Sequence, residues 1–406
     1  MTELSTIYWR RYEPIELALD EQTCVAASDP YSETPAELGD AAESVQQALR
    51  EPLDFPALAA ATVEGDRVAV AIPPHLPQLA SVVRGVVAAL RASGIDAAST
   101  SFVVASQRDA VAVGQAVGDT EFRVVLHDPS DSDALCYIGE MRGDVTLRLN
   151  RTLAEADFVL PVGCTHRRQG QGSPFEDLFP LFSDSESQQR YAAIDPDAPG
   201  DLQRRRDEAG WMLGAALVLQ VVPGHRGQVA GVVAGTPQGC HAAARDLART
   251  VWHRQFARAA RLVVASAAGD SPVDWQQWAD MIVLADSLRE PGGAIALCVE
   301  LPPRPGKSLR RLMSTSDLRD VARQVARDHH DDTHVAAVLL DAIERGPVFL
   351  LSNWNGDLVE DLGMAPIADG DELQRLVQRM GDCIVIDEAH LTTASIAPPV
   401  VAGDME

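Results

Sequence analysis

Arg67-Val-Ala-Val-Ala-Ile72 is an unbroken apolar run of strand length, closed by Pro73-Pro74. Residues 78–93 follow, with Leu79, Val82, Val83, Val86, Val87 and Leu90 at helical spacing, and Gly94 stops the pattern. A strand apolar on both faces that leads into an amphipathic helix is the start of a parallel, helix-covered sheet. Working outward, 101–105, 123–126 and 157–162 are further strand-length runs, and Val145, Leu147 and Leu149 alternate as in a half-exposed strand. After a helical stretch at 237–252 a second set begins. Its predicted strands are 261–265, 294–300, 348–352 and 383–387, and its helices lie near 275–288, 317–328, 335–344 and 371–380. The interleaving predicts an α/β protein: two α/β domains with largely parallel sheets facing a central cleft, where a small ligand would sit.

The expected domains are an N-terminal extension at 1–55, an N-terminal α/β domain at 56–258 and a C-terminal α/β domain at 259–406. The extension is acidic and rich in Pro, Ser and Glu, with one helical candidate at 37–49. Residues 183–207 are polar and read as a loop, and 252–260 read as a basic, strand-free boundary.

With 406 residues, 46% of them hydrophobic, the chain can bury more than one core. Its 34 Lys plus Arg against 59 Asp plus Glu give a charge of −25, which repels nucleic-acid backbones and anionic lipid. The N-terminus lacks an apolar leader segment, and the longest apolar stretch, near 212–222, is too short to span a bilayer. The six cysteines contain no CxxC pair, which argues against a zinc ribbon or disulfide scaffold and fits reduced thiols in a cytoplasm.

Several stretches carry chemistry. Gln107 and Arg108 follow a strand end, where open α/β sheets place ligand loops, though an ordinary polar turn would look the same. His127-Asp128 also ends a strand; it suits either a base oriented by its neighbour or a capped turn. Gly163 to Ser173 puts a thiol, His166, Arg167, Arg168 and the glycines Gly170 and Gly172 in one loop. Glycines let backbone amides approach an anion, and arginine supplies a charge-assisted fork, so this loop is the main candidate. The run His329-His330-Asp331-Asp332-Thr333-His334 reads as a capping junction between helices rather than a metal site.

Leu126-His127-Asp128 through Cys136-Tyr137-Ile138-Gly139, then Gly143, Val145 and Asn150, and the strand from Arg151 to Gly163 together resemble the lactate racemase family. Gln228 to Gly235 and Leu262 to Pro272 look like its later framework pieces. Family members use a nickel-pincer nucleotide to racemise or epimerise 2-hydroxy acids, which implies two α/β domains with the site between them. The resemblance places His166 on a family acid/base His, and the cofactor-bearing lysine falls on Glu176. The nickel-binding His falls near Ala192 and the second acid/base His on Gln107, beside Arg108. The early Asp and Arg become Ala71 and Pro74, and the second-domain Gln and Lys fall near Ala279 and Ile282.

The resemblance therefore implies a divergent member without the tethered cofactor and without a bound metal. Its expected partner is a small anion held by Gln107, Arg108, Arg167, Arg168, Gly170, Gly172, Ser173 and Glu176. An active racemase or epimerase of altered chemistry, with His166 or His127 as base, stays open, as does a homo-oligomer.

Overall fold

The protein is described by a computed structural model that covers residues 2–20, 24–25, 27–28, 39–118, 121–165, 172–192, 199–269, 272–313, 318–328 and 330–397. It divides into two compact units: residues 34–251, and residues 1–33 together with 252–406.

Residues 1–55 do not stay together as an extension. Strands β1 (Thr2–Trp9) and β2 (Glu13–Asp20) form an antiparallel hairpin, and β3 (Ala27–Ser28) follows. Ile7, Ile15, Leu17 and Leu19 point inward from the hairpin and are buried with residues of the C-terminal sheet. Glu16 and Ala18 between the last three, and Thr6 before Ile7, face out and hide the alternation. The helix Ala41–Arg50 belongs instead to the 34–251 unit and buries Val45 and Leu49 there.

In the 34–251 unit, β4 (Val68–Ile72), β5 (Thr100–Val104) and β6 (Arg123–Leu126) come first. A separate hairpin, β7 (Leu135–Met141) with β8 (Val145–Asn150), interrupts them. Then β9 (Phe158–Cys164), β10 (Val218–Pro223) and β11 (Val229–Gly235) complete a sheet of order β11-β10-β9-β4-β5-β6. All neighbours are parallel except β10 with β11. Strand β4 shows why its run is apolar throughout. Val68, Val70 and Ile72 enter one core with the helix Leu79–Ala92, while Ala69 and Ala71 enter another on the opposite face. The small alanines leave room there for Phe175, Leu178 and Phe182.

The polar stretch read as a loop contains two helices, Ser185–Ala192 and Pro199–Met212. They are polar nearly all round, so no apolar stripe announced them. Pro199 opens the second helix, where its missing N–H costs nothing.

In the other unit, β12 (His253–Phe256) lies in the segment read as strand-free, because β18 (Thr393–Ile396) and β3 pair with it on either side. The main sheet is built from β13 (Ala260–Ala267), β14 (Arg289–Val299), β15 (Val348–Leu351), β16 (Ala365–Pro366) and β17 (Cys383–Ile386). Its order is β16-β15-β14-β13-β17, all parallel. Val263 and Ala265 face the helices Trp275–Leu288 and Thr333–Arg345, while Leu262 and Val264 face the N-terminal hairpin and the helix Gly370–Met380. The mixed α/β class with largely parallel sheets is the one expected. Among the described residues no helix is long and apolar enough to cross a membrane.

Candidate functional site

In the 34–251 sheet the chain passes from β4 to β5 and β6 on one side, and β9 returns on the other side of β4. Such a reversal opens a crevice at the carboxyl ends of the two strands, the place where open α/β sheets hold ligands. The carboxyl ends of β4, β5, β6, β9 and β10 share one edge, so the parallel topology brings Gln107, Arg108, His127 and Thr165 to that edge. At about 4.8 Å per strand, β6 and β9 remain about 14 Å apart.

Gln107 and Arg108 are the first, exposed residues of the helix Gln107–Val117. Ser106 caps that helix: its Oγ accepts from Asp109 N at 3.1 Å and donates to Asp109 Oδ2 at 2.5 Å.

His127 is a core group. Its Nε2 donates to Ser183 O at 2.9 Å, and its Nδ1 accepts from Asn150 Nδ2 at 3.2 Å. The ring meets Phe182 edge-on, and burial pushes its pKa down, so it stands neutral. Both nitrogens are engaged, which leaves none to act on a substrate. Asp128 does not orient it, since its Oδ1 accepts from Ser130 N at 2.8 Å and Ser130 Oγ at 2.6 Å instead.

His166, Arg167, Arg168 and Gly170 lie outside the described residues. On either side of them the chain is tightly stitched. Cys164 N donates to Asp177 Oδ2 at 2.6 Å, and Thr165 Oγ1 donates to Gln220 Oε1 at 3.2 Å. Gly163 makes space for that glutamine, because a Cβ there would stand 2.3 Å from Gln220 Nε2. The Cys164 thiol is pushed well up by burial and by Asp177 and Glu176, so it is no nucleophile at neutral pH.

Beyond the loop, Ser173 is fully buried, donating from Oγ to Asp207 Oδ1 at 2.6 Å. Gly172 O accepts from Gln203 Nε2 at 3.2 Å. Glu176 Oε2 stands 3.8 Å from Arg206 Nη1, with the side chains only 12% and 10% exposed. Arg206 also donates from Nε to Phe179 O at 3.2 Å. His241 closes the cluster. A Cβ on Gly172 would lie 2.9 Å from its Cε1 and 3.1 Å from its Nε2. Burial lowers the His241 pKa, opposed by the nearby Glu176 carboxylate, and its buried Nε2 has no hydrogen-bond partner among the described residues.

The residues Gln203, Arg206, Asp207 and His241 were not among those expected. The first three recur at i, i+3 and i+4, one face of the helix Pro199–Met212, a pattern visible only once that stretch is known to be helical. The remaining positions implied by the resemblance are apolar. Ala71 is buried in β4, Ala192 ends the helix Ser185–Ala192, and Ala279 and Ile282 belong to the same buried core as Trp278.

Two α/β units define the class of protein, each wound outward from a central strand, with three late strands returning beside β4 in one and the single strand β17 returning beside β13 in the other. The family model of the lactate racemase N-terminal domain matches residues 11–170. The chain superposes on the lactate racemase apoprotein from Thermoanaerobacterium thermosaccharolyticum with a TM-score of 0.75 and 16% identity, covering 97% of this chain and 100% of that one. A structural-genomics target from Thermotoga maritima superposes at 0.65 with 13% identity, covering 92% and 100%. No curated protein matches the chain in sequence. Over residues 11–170 the chain is thus similar to the lactate racemase N-terminal domain, and it shares the fold of the lactate racemase apoprotein.

Proposed function

We propose that this lactate-racemase-like protein binds a small carboxylate- or phosphate-bearing molecule at the carboxyl edge of the 34–251 sheet, and does so without a lysine-tethered nickel-pincer nucleotide. The observation that carries this reading is the Glu176–Arg206 contact. Where the family resemblance puts a cofactor-bearing lysine, this chain has a nearly buried carboxylate beside a guanidinium. A carboxylate supplies no amine for a thioamide link. Ala192 has no lone pair to offer nickel, and the amide of Gln107 exchanges no proton near neutral pH. The residues present do not fit the family's tethered group, and no step is assigned to it.

A second reading, an enzyme of altered chemistry acting on a hydroxy acid, is favoured by His241. Its neutral imidazole and its Nε2 lie beside the Glu176 carboxylate.

The test has two arms. Protein produced alongside the cofactor-making enzymes should show its unmodified intact mass and no stoichiometric nickel; near-stoichiometric nickel or a covalent adduct overturns the proposal. In a thermal-shift screen of hydroxy acids, sugar acids and phosphate, a ligand at 100 times its Kd adds about 2.7 kcal/mol. Replacing Arg167 and Arg168 with Gln should abolish that shift and leave the unliganded Tm in place.

A further inference from the structure

We propose that Cys24 and Cys383 are a disulfide-forming pair, a modification site for oxidants of the low-molecular-weight disulfide class. Cys24 sits opposite Cys383 in a parallel bridge on the outer edge of β17, and Val25 N donates to Cys383 O at 2.8 Å. Residues directly opposed on neighbouring strands project to the same face, with Cα atoms about 4.8 Å apart. That lies inside the span of roughly 4.4–6.8 Å that a disulfide bridges. Both side chains pack into the same apolar cluster, under the N-terminal hairpin.

The other cysteines have no such neighbour in register: Cys136 opposes Leu149, Cys164 opposes Val221, and Cys298 opposes Ser266 and Leu351. Cys240 lies on a helix and engages Val233 O.

Burial sets the order of events. Cys24 is partly exposed and Cys383 fully buried, so an oxidant in solution meets Cys24 first. The Cys24 thiolate attacks one sulfur of the small disulfide, forms a mixed disulfide and releases one small thiol. Cys383 then gives up its proton, attacks the Cys24 sulfur and expels the second small thiol. Two protein S–H bonds are lost and one S–S bond forms; the two electrons reduce the small disulfide to two thiols. The product ties the segment behind the hairpin covalently to β17. A dithiol reagent reverses it.

The experiment equilibrates the reduced full-length protein in a series of glutathione disulfide and glutathione mixtures, followed by non-reducing peptide mapping. The expected result is a Cys24–Cys383 linked peptide and an intact mass lower by about 2 Da, the two hydrogens removed on forming one disulfide. Dithiothreitol should restore the starting mass. C24S should leave Cys383 unmodified in the folded protein, and C136S should leave the cross-link in place. Because the Cys383 site is buried, it is probed by alkylation before and after oxidation rather than by replacement. Cys24 recovered only as its glutathione adduct at equilibrium, with Cys383 still alkylated on unfolding, overturns the proposal, as does a linked peptide joining any other pair.

Discussion

Asn150 joins two elements by serving His127 with one end of its amide and the helix Arg151–Ala154 with the other. Its Nδ2 donates to His127 Nδ1 at 3.2 Å, and its Oδ1 accepts from Thr152 N at 3.0 Å. The residue is 1% exposed, so neither bond has water as a substitute.

Asn150→Ala removes a helix cap and leaves a buried ring nitrogen without its donor. The cap contributes about 1 kcal/mol and the orphaned nitrogen costs about 1–3 kcal/mol. Urea unfolding should therefore show a loss of about 2–4 kcal/mol. A loss within a few tenths would mean that His127 is not held in this way.

The buried His127 and the half-buried His241 make stability depend on pH with a definite sign. Burial holds the folded pKa of His127 and His241 below the ordinary 6.5. Between the folded and the unfolded pKa the unfolded chain binds more protons, so stability rises with pH there. The contribution is present above the unfolded value and is lost as pH falls through 6.5 toward the lowered folded pKa. Unfolding midpoints taken from about pH 7.5 down to about pH 5 should decline, and H127Q should flatten the slope. An unchanged slope in H127Q would contradict the buried neutral ring.

Glu176→Lys restores the amine that the resemblance calls for, but sets it against Arg206. Replacing a buried ion pair with two cations should cost at least about 3 kcal/mol. Reversing the partner as well, E176K with R206E, should recover part of that loss. A stable E176K protein that takes up nickel when made with the cofactor enzymes would reopen the tethered reading.

Gly172→Ala drives a methyl to 2.9 Å from His241 Cε1. The expected cost is about 1–3 kcal/mol, and H241A in the same chain should remove most of it. If the two substitutions simply add, Gly172 and His241 are not in contact.

Asp387 Oδ1 accepts from Ser266 Oγ at 2.7 Å and from Tyr8 N at 3.0 Å, and burial raises its pKa. An acid raised in this way carries stability that is present at low pH and lost as pH rises through the folded pKa. Asp387→Asn keeps the accepting oxygen and removes the buried charge. At neutral pH it should leave stability unchanged or raise it, whereas D387A should lower it.

What the sequence made legible was burial on both faces. Residues 67–72 and 383–387 read as strands buried on both faces, and the helices at 237–252 and 275–288 carried wide apolar stripes. What stayed hidden was structure whose signal is shared. Strand β2 alternates correctly, but its outward residues, Pro14, Glu16 and Ala18, carry no strand signal of their own and made the segment look solvated. The helix Pro199–Met212 buries Arg206 and Ala209, one charged and one small, so no stripe showed. The candidate site was half legible for the same reason. Its loop glycines and Glu176 stood out, whereas Arg206, Asp207 and His241 gain meaning only through partners distant in the chain.

The hairpin's partners also set a timetable. Tyr8 and Asp387 lie at opposite ends of the chain, so during synthesis Ile7, Ile15, Leu17 and Leu19 emerge long before Leu262, Val264 and Cys383 exist to cover them. The 34–251 unit can complete its own core in that interval, while the hairpin waits with a bare apolar face and two unpaired strand edges. Glu13 and Glu16 stand exposed on that hairpin, charged gatekeepers against strand-on-strand association between nascent chains.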